Sequence, residues 1–209
     1  MRTTTTSFLR TGQVGPATLT VRELRKGRTV STVVADLIQD ERLVITSRMT
    51  LFTERNGVEW SVPAPIDLPP PEKCERFQMP APVSNFARVD SRWDPNRQPF
   101  FGSGARASAS GYIRPLEPRP LDAAWLTMAS DWFPPPAFAR IAPPTGGVSI
   151  DLTTHIHRAN LVLGDDEWLA GGFEIENSTG GLALERGQIV LPGGTVVAES
   201  LQTRLTAQG

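Results

Sequence analysis

Cysteine is nearly absent from this chain of 209 residues, where Cys74 stands alone. A single thiol excludes an internal disulfide and makes a reducing cytoplasm the expected setting. Cys74 is also a poor candidate nucleophile, because its neighbours Glu72 and Glu75 raise a thiol's pKa and only Lys73 opposes them. Charge of one sign is missing as well. Lys and Arg number 21 against 22 Asp and Glu, a formal net charge of -1, so nothing points to nucleic acid or an anionic membrane as partner. No apolar run approaches the roughly 20 residues that span a bilayer, and the opening MRTTTTSFLRTG lacks the apolar stretch of a secretory signal. Two catalytic signatures are also missing. No G-x-S-x-G elbow occurs, which excludes the usual serine-nucleophile hydrolase. Gly102-Ser103-Gly104 has no strand-loop-helix context with a following Lys-Ser/Thr, so it is not a phosphate loop.

What the chain does have is strand after strand. From Thr4 to about Trp60, TTTSFLRTG, ATLTVREL, RTVSTVVADLIQD and RLVITSRMTLF alternate or carry β-branched residues, with Gly15-Pro16, Lys26-Gly27 and Asp40-Glu41 between them. Residues 61–82 hold seven prolines, cannot pair as a central strand and read as a linker. NFARVDSRWD is then a candidate strand, RQPFFGSGARA an exposed loop and SASGYIRPLEP a strand. One segment reads as a helix of real length, 121–141, LDAAWLTMASDWFPPPAFARI. Leu121, Ala124, Trp125, Met128, Ala129 and Trp132 recur at helical spacing, Asp122 is the expected N-cap, and Pro134, Pro135 and Pro136 break or kink the end. Asp131 precedes that break and is either a local cap or a group placed for chemistry. VSIDLTTHIHR, DEWLAGGFEIEN, GGLALERGQIVL and TVVAESLQTRLTA complete the chain as strands.

The two halves correspond in order. TTTSFLRTG matches SIDLTTHIHR, ATLTVREL matches EWLAGGFEIEN, RTVSTVVADLIQ matches GLALERGQIVL, and RLVITSRMTLF matches VVAESLQTRLTA. The organisation expected is therefore a first repeat over 1–60, a linker over 61–82, and a second repeat with its own leading strand and helix over 83–209. A long helix covered by antiparallel strands is an α+β arrangement. Alternation puts Ser200, Gln202 and Arg204 on one face of the last strand, and Ser149, Asp151, Thr153, His155 and His157 on one face of an earlier one. His155 and His157 form an H-x-H pair without a third ligand at a matching position, and a polar sheet face accounts for them.

Four stretches in order, LRKGRTVSTVVADLIQDERLV at 24–44, ASDWFPPPAF, VSIDLTTHIHR and VVAESLQTRLTA, resemble the double-hotdog acyl-CoA thioesterases of the thioesterase II type. The resemblance implies a double hotdog, an antiparallel sheet wrapped on a central helix, whose first hotdog is incomplete because its opening strand and helix have no counterpart here. It also implies hydrolysis of acyl-CoA to free acid and CoA, with no metal or other cofactor. The site residues it implies are Asp131, Ser149 and Gln202, which together would activate a water, while His157 and Arg158 would seat the phosphates of CoA. A sheet face lacking its helix would be apolar, which predicts a homo-oligomer. Two other functions remain open at this point: a non-catalytic acyl-CoA or lipid-binding protein of the same fold, and a hotdog hydratase, which the lack of a histidine in the helix disfavours.

Overall fold

The computed structural model describes residues 1–76, 88–94, 106–141 and 147–206. The stretch 77–87, most of the loop 97–107 with Gly102-Ser103-Gly104, and 142–146 lie outside the described residues. The β-branched runs become strands: β1 (Thr3–Phe8), β2 (Thr18–Arg25), β3 (Val30–Gln39) and β4 (Arg42–Phe52). After the proline-rich stretch come β5 (Glu75–Arg76), β6 (Val89–Trp93) and β7 (Ala107–Pro115), then α1 (Ala123–Ala129). β8 (Val148–Ile156), β9 (Leu169–Thr179), β10 (Leu182–Val190) and β11 (Val196–Leu205) close the order.

All of them join one 11-stranded sheet in the order β2-β3-β4-β1-β8-β11-β10-β9-β7-β6-β5. Its first eight strands read alike from either end, since β2-β3-β4-β1 mirrors β9-β10-β11-β8. The mirror is the antiparallel β1–β8 seam, where Thr3 faces His155 and Ser7 faces Asp151. The strands that mirror one another are those that the two halves of the sequence match in order. Turn chemistry agrees with the order: Gly180 and Gly181, at φ 62° and 80°, close the β9–β10 hairpin in the doubly left-handed turn that matches strand twist.

The helix is shorter than expected. It holds seven residues, whereas the apolar spacing predicts one over 121–141. Asp122 is the N-cap as expected, its Oδ1 accepting the Trp125 amide at 2.8 Å. The far end tightens early: Asp131 N donates to Met128 O at 3.1 Å and Trp132 N to Ala129 O at 3.4 Å, three-residue steps that end an α-helix. Pro134, Pro135 and Pro136 supply no amide donors to continue it, and a short 3-10 turn follows at Pro136–Ala139. Asp131 therefore sits in the turn after the helix rather than on it. Leu121, Trp125, Ala129 and Trp132 are buried as the stripe read from the sequence expects, whereas Ala124 is exposed and Leu126, outside that stripe, is buried.

The core lies between α1 and one face of the sheet, where Ile113, Leu121, Leu126, Leu169 and Val197 are fully buried and Trp132 and Phe133 extend it past the helix. Gly111 lets Phe133 lie on the sheet, because a Cβ there would stand 2.5 Å from its Cε1 and 2.3 Å from the Arg92 carbonyl oxygen. Strand register carries the same face across β1 to β4 and β2, where Leu37 is paired with both Leu19 and Ile45 and Met49 with Thr4. No helix among the described residues lies over Leu19 and Val21, which are 64% and 62% exposed. The proline-rich stretch crosses the opposite face. Ile66 packs on Gly172, Ala64 N donates to Gly194 O at 2.9 Å, and the Tyr112 hydroxyl donates to Pro69 O at 3.0 Å. No helix among the described residues is long and apolar enough to cross a membrane.

The short helix carries a stability prediction. Leu126→Ala removes a fully buried side chain and is expected to cost about 2–5 kcal/mol, whereas Ala124→Ser on the exposed side costs about 0.5 kcal/mol or less. Urea unfolding of both variants with unchanged slope measures the difference; equal losses would mean that α1 presents another face to the core.

Candidate functional site

β11 alternates as its sequence predicts, with Ser200, Gln202 and Arg204 turned to the α1 face; Gln202 is 1% and Arg204 3% exposed. Gln202 lies opposite Leu152 of β8. Strict alternation would turn Ser149, together with Asp151, to the other face. The structure differs because Thr203 pairs with Asp151 but Arg204 pairs with Ser149, which leaves Ile150 as an extra residue and makes a β-bulge. The bulge turns Ser149 towards Gln202. Asp131 arrives from the turn after α1, so three separate elements meet at one amide.

The geometry at that amide is tight. Gln202 Nε2 donates to Asp131 Oδ1 at 3.0 Å and to Ser149 Oγ at 2.6 Å. With both protons of the amide nitrogen used, the buried Oε1 has no partner among the described residues and remains an acceptor. Ser149 Oγ also accepts from Arg204 Nη1 at 3.2 Å, so its lone pairs are taken and its own proton is left to donate. Asp131 Oδ1 takes both Gln202 and Arg204 Nη2, the latter at 3.1 Å, while Oδ2 takes no hydrogen bond from the described residues. The Asp131 side chain is 33% exposed. A carboxylate oxygen without a partner among the described residues, on a side chain a third exposed and near a hydroxyl with a proton to donate, can bind and deprotonate a water.

Two participants escape the sequence reading. Arg204, placed on the Gln202 face by alternation, makes the densest set of contacts in the site. Glu185 is 2% exposed and receives Arg204 Nε at Oε2 and Nη2 at Oε1, the second at 3.1 Å. In LALERGQIV the leucines suggest an inward face of Leu182 and Leu184, yet the buried set is Ala183, Glu185, Gly187 and Ile189. Burial pushes the Glu185 carboxyl up from its usual value, and the hydrogen bonds and charge of Arg204 pull it back. Burial likewise disfavours the Arg204 cation, but Glu185 and Asp131 more than offset this and hold its pKa up, and the two-bond grip of Glu185 on the guanidinium is the geometry of an ion pair.

The other sequence candidates lie elsewhere. His157 and Arg158 follow the far end of β8, about 26 Å from Ser149 along the strand at ~3.3 Å per residue. His157 Nε2 pairs with Glu199 Oε2 at 2.8 Å, and His155 Nδ1 meets Thr3 Oγ1 at 3.4 Å. Cys74 is buried, and burial first, then Asp94, pushes its thiol up, against the opposing charge of Arg92. A groove of about 930 Å³ opens on the opposite face of the sheet, beneath Ile66 and Asp67, and is lined by none of Asp131, Ser149 and Gln202.

Comparison with known proteins adds a family. The acyl-CoA thioesterase C-terminal domain model matches residues 67–206 and the acyl-CoA thioesterase N-terminal domain model matches residues 1–53. Among solved structures, a conserved protein of unknown function with a hotdog fold from Alicyclobacillus acidocaldarius is similar with a TM-score of 0.86 at 20% identity, covering 100% of this chain and 79% of that one. An acyl-CoA thioesterase II from Mycobacterium marinum is similar with a TM-score of 0.77 at 24% identity, covering 100% of this chain and 80% of that one. These likenesses show the hotdog fold. No curated protein matches the chain.

The ionic pair predicts a non-additive stability cycle. Arg204→Met leaves Glu185 buried without its counter-ion and is expected to cost about 3–5 kcal/mol; adding Glu185→Leu recovers most of it. Chemical unfolding of the single and double variants measures both numbers, and additive losses would refute the pairing.

Proposed function

The chain belongs to the acyl-CoA thioesterase family, and from that premise we propose that it hydrolyses acyl-CoA thioesters with a water activated by Asp131, Ser149 and Gln202. The observation that carries the reading is the convergence of Asp131 and Ser149 on the single Gln202 amide, with Asp131 Oδ2 taking no hydrogen bond from the described residues. Asp131 Oδ2 accepts a proton from the water as its oxygen attacks the thioester carbonyl carbon. Ser149 orients that water and the Gln202 amide holds Ser149 and Asp131 in place for it, the step most sensitive to geometry. Collapse of the tetrahedral intermediate breaks the C–S bond, and the proton held by Asp131 passes to the departing thiolate. Free acid and CoA result, and the carboxylate is restored.

His157 and Arg158 are the proposed contacts for the nucleotide phosphates of CoA. Support comes from the exposed Arg158 side chain, which has no hydrogen bond or ion pair among the described residues; at their distance from Ser149 the two residues would meet only the far end of an extended CoA. The exposed Leu19 and Val21 support a homo-oligomer in which a second copy covers their face. The lone, buried Cys74 supports a cytoplasmic setting.

A second reading has one observation in its favour. Arg204 donates to the same carboxylate that would act as base, which suits a non-catalytic acyl-CoA or lipid-binding protein as well. Thiol release from a panel of acyl-CoAs separates the two. The catalytic reading expects release by the wild type and a loss of about 10²–10⁴-fold in Asp131→Asn. Undiminished release by that variant overturns the role of Asp131, and binding without release by the wild type favours the second reading. Light scattering after gel filtration is expected to give at least a dimer mass, and a monodisperse monomer would contradict the oligomer.

A further inference from the structure

The guanidinium of Arg204 uses all of its donors. Nε–H and one Nη2–H go to Glu185, the other Nη2–H to Asp131 Oδ1, and the Nη1 protons to Gly147 O at 3.0 Å and Ser149 Oγ. A full positive charge in direct contact with a would-be general base weakens that base, because it favours the carboxylate over its protonated form. Here the same charge is gripped side-on by a second carboxylate that is itself buried. The cluster is then one cation between two anions, and the cation faces Glu185 through two bonds and Asp131 through one.

Among the described residues no other ionisable side chain is hydrogen-bonded or ion-paired to Asp131, and Asp151 of β8 takes the Thr203 amide at 3.2 Å instead. β8 contributes the neutral Ser149 and β11 the neutral Gln202; α1 and the 3-10 turn Pro136–Ala139 carry no ionisable side chain, and none occurs in the sequence of 142–146. Arg204 and Asp131 are the charged groups acting on Glu185. Asp131 therefore feels a balance set by two residues on adjacent strands, β10 and β11.

We propose that Glu185 is a positioning residue for the hydrolysis: by gripping Arg204 through both carboxylate oxygens it holds the guanidinium to one hydrogen bond with Asp131 Oδ1 and offsets part of its charge, which leaves Asp131 Oδ2 to the water. The proposal rests on the reading of Asp131 as the base. It accounts for a buried glutamate whose two oxygens both go to Arg204. It also reconciles a cation beside the base with catalysis.

The test is the pH dependence of kcat/KM for thiol release from one acyl-CoA, whose acid limb reports the essential base of the free enzyme. Glu185→Gln keeps the shape of the side chain and removes its charge, leaving Arg204 to act on Asp131 alone. The acid limb is expected to move down by about one pH unit, and the plateau to fall by up to about tenfold as the base weakens. Glu185→Gln combined with Arg204→Gln removes both charges, and the limb is expected to move above that of the wild type. A residue needed only for packing would lower rates without this ordering. An unmoved limb in Glu185→Gln, with Asp131→Asn inactive, overturns the role of Glu185 and leaves the base assignment standing. An active Asp131→Asn overturns both. If far-ultraviolet circular dichroism shows Glu185→Gln unfolded, the double variant decides alone: a limb above the wild type supports the proposal, and one at the wild-type position overturns it.

Discussion

One guanidinium ties the site to the sheet. Arg204 lies on β11, takes its counter-ion from β10, reaches the start of β8 through Gly147 O and Ser149, and meets the turn after α1 at Asp131. A buried cation is costly unless every donor is matched, so each of those elements is held in register by the need to satisfy it. The bulge at Ile150 belongs to the same constraint, because it brings Ser149 opposite Arg204. Gln202, two residues before Arg204 on the same face, then has Ser149 and Asp131 within reach. The site is thus a consequence of pairing one arginine across three strands and a turn.

Much of the fold was legible because it depends on period-two alternation and on repetition. The eight-strand palindrome follows from the correspondence of the two halves, and β11 faces as its alternation predicts. The departures share a cause: local irregularity that no periodic pattern encodes. Helical spacing continues through Trp132, but the i to i−3 bonds at Asp131 and Trp132 end the helix first and move Asp131 into a turn. Alternation through VSIDLTTHIHR fails at Ser149 because a bulge is one residue that does not count. Glu185 was hidden by composition, since the leucines of LALERGQIV face outward and the glutamate faces in. A charged residue on the inward side of a strand is a signal only once another strand shows its partner.

The two halves of the molecule are unequal in how they treat the same surface. On the C-terminal side α1, Trp132 and Phe133 cover the face and form the core. Towards β2 the face continues with Leu19, Val21 and Leu37 in register and no helix among the described residues above it. The site lies on the covered side, near enough to solvent for Asp131 to remain a third exposed. Membership of the acyl-CoA thioesterase family gives this arrangement a chemistry, and Asp131 Oδ2, which takes no hydrogen bond from the described residues, is where the proposed chemistry begins.

The central claim is that Asp131 deprotonates a water rather than attacking the thioester itself. A single turnover in ¹⁸O-enriched water, with protein in excess over acyl-CoA, separates the two directly. The account predicts one ¹⁸O in the carboxyl group of the acid released in that first turnover, and no label in Asp131 by peptide mass spectrometry. Unlabelled acid in the first turnover, with ¹⁸O appearing in the Asp131 carboxyl group, would contradict it.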